Sequence, residues 1–175
     1  MKILALDSSG LVASVAVVEN DTLLAEYTVN YKKTHSQTLL PMLDEISNMT
    51  ELDLSTIDAI AVAGGPGSFT GLRIGSATAK GLGLALEKPL ISIPTTAAIA
   101  YNIWDTDKFV CPIMDARRNQ VYTGVYCYTD HRLDTVWEQD TMSIEALAEG
   151  LNCLDHEVIF LGDGVAVYRE KLRHC

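Results

Sequence analysis

The sequence predicts an α/β protein of two lobes, each a mixed sheet flanked by helices. Three observations carry this. Short apolar runs such as Lys2–Leu6, Ile57–Ala63 and Phe109–Met114 have the length and composition of strands buried on both faces. Helical stretches alternate with them. A second series, beginning at Phe109, partly repeats the first. The split is placed near Asp105, giving lobes 1–104 and 105–175.

The first lobe opens with strands at Lys2–Leu6, Val12–Val18 and Leu23–Val29. Glu19-Asn20-Asp21 has hairpin-turn composition, so these form an antiparallel meander. Ser36 is placed to cap a helix running to about Asn48, with Leu39, Leu40, Leu43 and Ile46 as its apolar stripe. Ile57–Ala63 is a buried strand. Gly64-Gly65-Pro66-Gly67-Ser68-Phe69-Thr70-Gly71 follows, and then a helix over Leu72–Leu86 that Lys88-Pro89 stops. Leu90–Ile93 reads as a second buried strand, and Thr95 or Thr96 caps a short helix, Ala97–Trp104. In the second lobe, strands are expected at Phe109–Met114, Gln120–Tyr128, His131–Glu138 and Val158–Leu161. Helices are expected at Ile144–Leu151, capped by Ser143, and at Val165–Arg173.

Composition narrows the function classes. Thirteen basic and 23 acidic residues give a net charge of −10, which disfavours a broad direct grip on nucleic-acid phosphates or anionic lipid. The N-terminal apolar run reaches Asp7 too soon for a signal peptide, and no run is long enough to span a bilayer. Four scattered cysteines, without a C-x-x-C pair, fit free thiols in a reducing cytoplasm.

Four glycines in the eight residues Gly64–Gly71 permit backbone shapes that other residues avoid. The loop fails the phosphate motifs, however. Leu72 and Arg73 follow Gly71 where a P-loop has lysine and a hydroxyl residue, and Ser68 is not in a G-x-S-x-G elbow. Three polar turns follow strands elsewhere: Asp7-Ser8-Ser9, Asp115-Ala116-Arg117-Arg118 and Gly162-Asp163-Gly164. The carboxyl ends of strands in α/β sheets are where ligands bind. These turns are candidates for nucleotide contact, with turn capping by Asp7 and Asp115 the plainer alternative.

Gly64–Gly75 (GGPGSFTGLRIG), opened by MKILALDSS and followed by Met114–Tyr122 (MDARRNQVY), resembles the TsaB family, formerly called YeaZ. That family is a branch of the actin/Hsp70/sugar-kinase (ASKHA) superfamily. The match runs over essentially the whole chain. It implies a two-lobed ASKHA fold and a role in making N6-threonylcarbamoyladenosine at position 37 of tRNA. In that system the TsaB-like subunit is not the catalyst. It binds its paralogue TsaD and, with it, the ATPase TsaE, meets tRNA only through the complex, and homodimerises when alone. The resemblance also places Asp7, Ser8 and Ser9 at a first phosphate loop, Asp115 and Arg117 at a second, and Gly162, Asp163 and Gly164 at an adenosine loop. No cofactor is implied for the lone protein beyond weak ADP or ATP with Mg²⁺. Arg117 and Arg118 could instead block the site by pairing with Asp7 or Asp163. Family members usually continue beyond the position of Cys175, so the second lobe is expected to be truncated or minimal.

The residues themselves offer no catalyst. TsaD-like proteins carry paired histidines on the helix matching Thr95–Tyr101, which here has none. His35, His131, His156 and His174 have no metal-ligand spacing, and no Ser/His/Asp set is identifiable. A kinase or ATPase of the same fold, and an M22-type glycoprotease-like peptidase, remain the alternatives. A partner surface is suggested by two rows of small residues on the glycine-rich helix: Gly75, Ala79, Gly83 and Ala77, Gly81, Ala85. Interior helical glycine costs about 1 kcal/mol, so a close neighbour is expected. The expected interface comprises Leu39, Met42, Leu43 and Ile46 on one helix and Arg73, Ser76, Ala79, Lys80 and Gly83 on the other.

Overall fold

A computed structural model of the protein describes residues 1–31 and 37–173. The expected Ser36 cap, His35, His174 and Cys175 lie outside the described residues. The chain divides into two compact units, Met1–Ile93 and Pro94–Cys175.

The first unit holds a five-stranded sheet in the order β3-β2-β1-β4-β5. Its strands are β1 (Lys2–Asp7), β2 (Ala13–Glu19), β3 (Thr22–Val29), β4 (Ala59–Gly65) and β5 (Leu90–Pro94). β1 and β2 pair antiparallel, as do β2 and β3, so the expected meander forms. β1 and β4 pair parallel. The helices are α1 (Leu39–Thr50) and α2 (Phe69–Leu86). The core joins Leu4, Val15, Val17, Ile57 and Ile60 to the inner faces of both helices.

Four boundaries or burials differ from expectation, each for a local reason. α2 starts at Phe69 because the Ser68 hydroxyl accepts the Gly71 amide as an N-cap. β5 is not buried. It ends the sheet, and Leu90 and Ile91 are 41% and 38% exposed. The α1 stripe is not a spare surface either. Leu39, Met42, Leu43 and Ile46 sit at i, i+3, i+4 and i+7 and all point into the core. Burying each such side chain is worth roughly 1.5–3 kcal/mol. Leu40, expected within that stripe, is 52% exposed.

The second unit repeats the plan in four strands, ordered β8-β7-β6-β9. These are β6 (Phe109–Asp115), β7 (Gln120–Thr129), β8 (Arg132–Ser143) and β9 (Val158–Leu161). A central strand again lies between an antiparallel hairpin and a parallel partner. Helices α3 (Thr95–Ala100), α4 (Ile144–Asn152) and α5 (Gly164–Leu172) complete it. β8 runs farther than expected, to Ser143. The ladder shifts register beside Gly124 and then continues, pairing Thr123 with Asp140 and Gln120 with Ser143. α3 stops at Ala100, short of the expected Trp104, which is 62% exposed. No helix among the described residues is long and apolar enough to cross a membrane.

Candidate functional site

In the first unit, the turn after β1 and the glycine-rich loop interlock. Asp7 Oδ1 accepts the Ser9 amide at 2.7 Å, an Asx turn that fixes the end of β1. Ser8 Oγ donates to the Gly71 carbonyl at 2.9 Å, and the Ser68 amide donates to the Ser9 carbonyl at 2.6 Å. Ser8 and Ser9 are 2% and 4% exposed. Any side chain at Gly67 would run into the Ser9 carbonyl oxygen, and a Cβ at Gly75 would lie 2.6 Å from Ser8 Oγ. The glycines are therefore there for close approach to a neighbouring turn. Ser8, which the resemblance places at a phosphate loop, donates its proton to the glycine-rich loop's own backbone.

In the second unit, the turns after β6 and β9 meet. Asp163 Oδ1 accepts the Asp115 amide at 3.2 Å. Asp115 Oδ1 accepts the Arg117 amide at 3.0 Å and the Tyr168 hydroxyl at 2.9 Å. Asp163 thus receives a backbone amide where the sequence offered an arginine. Gly162 (φ +99°) and Gly164 both lie against the Ile113 carbonyl of β6, where a Cβ would collide. Contact with β6 shapes this turn. Arg117, Arg118 and Asn119 take left-handed φ values of 65°, 51° and 63° in succession. A surface latch braces them. Asn119 Nδ2 donates to Glu145 Oε2 at 2.6 Å, and Lys171 Nζ donates to Glu145 Oε1 at 2.7 Å and to Asn119 Oδ1. The bonds from Lys171 and then Asn119 lower the Glu145 carboxyl to about 2.

Sequence reasoning missed Tyr168 and this latch. Tyr168 stands four residues after Gly164, one helical turn on, which was the available signal. Glu145, Asn119 and Lys171 are far apart in sequence and gave none.

Within each unit, the residues that the resemblance turns toward Mg-nucleotide carry bonds to that unit's own turns and loops. Asp7 and Asp115 are each engaged by a turn amide, Ser8 by a carbonyl. Among the described residues no group of three or more His, Cys, Asp or Glu side chains is placed to hold a metal. His131 pairs with Asp105 at 2.6 Å, and His156 Nε2 lies 3.0 Å from the Asp107 carbonyl. Buried Cys111 has its thiol pushed up to about 12 by desolvation, only partly offset by the Thr123 hydroxyl, so it is a poor nucleophile.

The outward faces of α1 and α2 differ from these closed turns. On α2 the row Gly71, Gly75, Ala79 and Gly83 is buried within the unit. Ala79 is fully buried, and a Cβ at Gly83 would lie 2.8 Å from Leu90 Cδ2. The row Ala77, Gly81 and Ala85 is exposed, as are Arg73 and Lys80, with Ser76 half-buried. A Cβ at Gly81 would meet nothing within 4 Å. Leu84 on α2 is 84% exposed and Met49 on α1 is 77% exposed. The interface expected at Ala79, Gly83, Leu39, Met42, Leu43 and Ile46 is corrected accordingly. Those side chains pack inside their own unit, and the accessible candidates are their outward neighbours. Arg73 stacks over Phe69 at 4.0 Å.

Comparison with known proteins decides the family. A model described as TsaD, tRNA N6-adenosine threonylcarbamoyltransferase, matches residues 22–174. The chain is 35% identical over 172 residues to the tRNA threonylcarbamoyladenosine biosynthesis protein TsaB of Bacillus subtilis, covering 98% of this chain and 75% of that one. The chain belongs to the TsaB family. The Escherichia coli TsaB is 32% identical over 170 residues, covering 94% and 72%. A crystal structure from Pseudomonas aeruginosa, described as similar to peptidase YEAZ, superposes with a TM-score of 0.85 at 29% identity, covering 98% and 79%. The fold is the ASKHA fold expected of TsaB-family chains, with two mixed sheets flanked by helices.

Proposed function

We propose that this chain is a non-catalytic scaffold subunit in the formation of tRNA N6-threonylcarbamoyladenosine. In this reading it docks a TsaD-like paralogue through the outward faces of α1 and α2, and the pair recruits a TsaE-like ATPase. A second copy takes the same face when the paralogue is absent, and tRNA is reached only through the complex. The observation that carries the reading is the two-sidedness of α2. Its inner small row is consumed by the unit's own packing, while Ala77, Gly81 and Ala85 form an outer row with no such use. Small residues in a row let a partner helix approach closely. Leu84, Leu40 and Met49 supply apolar contact, and Arg73, Ser76 and Lys80 a polar rim.

Light scattering with the TsaD of the same organism tests this. The unaltered chain is expected to form a stable heterocomplex. Gly81→Arg and Leu84→Glu, both at exposed positions, are expected to weaken it by about tenfold or more, about 1.4 kcal/mol, without lowering the unfolding temperature. Normal complex formation by both variants would overturn the placement.

Nucleotide has no assigned role in this proposal. Calorimetry of the lone chain with ADP or ATP and Mg²⁺ is expected to show weak binding. Tight binding with turnover would favour an ATPase.

A further inference from the structure

Beside α2 the sheet ends in β5, and a groove of about 620 Å³ lies between the two. Leu90 and Ser92 of β5, Leu72 on the inner flank of α2 and Val62 of β4 form part of its wall. Arg73 and Lys80 project from α2 into the same lining, two turns apart and so about 10 Å along the helix. Ser76 and Ser92 add hydroxyls, and among the described residues no carboxylate lines the groove. On a chain of net charge −10 this is a locally basic, partly apolar trough.

We infer that the groove seats an extended, acidic segment of a partner protein, which adds to β5 as a sixth strand. The inference rests on the reading of α2 as a partner face and says what part of the partner lies beside it. Three features select this occupant. As the terminal strand, β5 has one edge that no strand among the described residues pairs, and such an edge is a template for strand addition. Leu90 and Ser92 line the groove with Ile91 between them, so the wall has the two-residue period of a strand. Arg73 and Lys80, with no carboxylate beside them among the described lining residues, select negative side chains. Acids at alternate positions of an added strand recur about every 6.6 Å, within reach of both cations.

A capped hexapeptide alternating glutamate and valine is the probe, with a version carrying lysine for every glutamate as control. Amide NMR and hydrogen exchange on the full chain report the site. The expected result is binding that protects the Leu90–Ser92 amides and weakens as ionic strength rises from about 0.05 to about 0.5 M. Lys80→Glu and Arg73→Glu, both at exposed positions, are each expected to weaken it about tenfold, and the lysine peptide should bind no better than those variants. No binding, equal binding of the two peptides, or binding without change at β5 would overturn the inference. Failure here is separable from failure of the scaffold reading. A TsaD complex sensitive to Leu84→Glu, together with a silent peptide, removes the groove and leaves the scaffold. A bound peptide without any TsaD complex does the reverse.

Discussion

Gly67 and Gly81 share a residue type and have opposite surroundings. A side chain at Gly67 collides with the Ser9 carbonyl, whereas one at Gly81 meets open space. Gly67→Ala is therefore expected to lower stability by about 1–3 kcal/mol through overpacking against rigid backbone. Gly81→Ala is expected to raise it by about 0.5–1 kcal/mol, since alanine loses less backbone freedom in a helix. Urea unfolding of the two variants checks both signs. At the latch, the folded Glu145 carboxyl lies near 2, below its ordinary 4.5. A depressed acid stabilises the fold above its unfolded value and loses that contribution as pH falls through the folded value. The latch is thus expected to weaken between about 4.5 and about 2. Carbon-detected NMR titration should show Glu145 moving back toward 4.5 in Lys171→Met, and an unmoved midpoint would mean that Lys171 is not the cause.

At the scale of elements, α2 shows how far the sequence could be read. Its two small rows were visible in the spacing, because residues four apart share a helix face. Which row faces inward was not visible, since Gly75, Ala79 and Gly83 differ from Ala77, Gly81 and Ala85 only in what β1, β4 and β5 bring against them. The α1 stripe failed for a related reason. Leu39, Met42, Leu43 and Ile46 look like surplus apolar area until β2 and β3 are placed beneath them. β5 was misjudged because a run such as Leu90–Ile93 has the same composition at the centre and at the edge of a sheet. The corrected faces make a contrast. Ala79→Arg buries a charge in the first core and is expected to cost more than about 3 kcal/mol. Ala85→Arg is exposed and is expected to change stability by less than about 0.5 kcal/mol. Thermal unfolding followed by circular dichroism separates them, and equal losses would contradict the assigned faces.

For the whole molecule, the α/β class and the repeat at Phe109 were legible in the sequence because strand length, turn chemistry and capping serine are local signals. The three polar turns were legible as places in the chain. What they bond to was not, because Ser8 meets Gly71, and Asp115 meets Tyr168, only after the units fold. Those bonds give these groups a structural role within their own units. The outer row of α2 has no such internal use, and the central claim is that this face binds a partner protein. Hydrogen exchange across α2 and α1, with and without the TsaD of the same organism, tests it most directly. Protection concentrated at Ala77–Ala85 and around Leu40 and Met49, with the Asp7 and Asp115 turns unchanged, is the predicted result. Protection at those turns with α1 and α2 unchanged would contradict it.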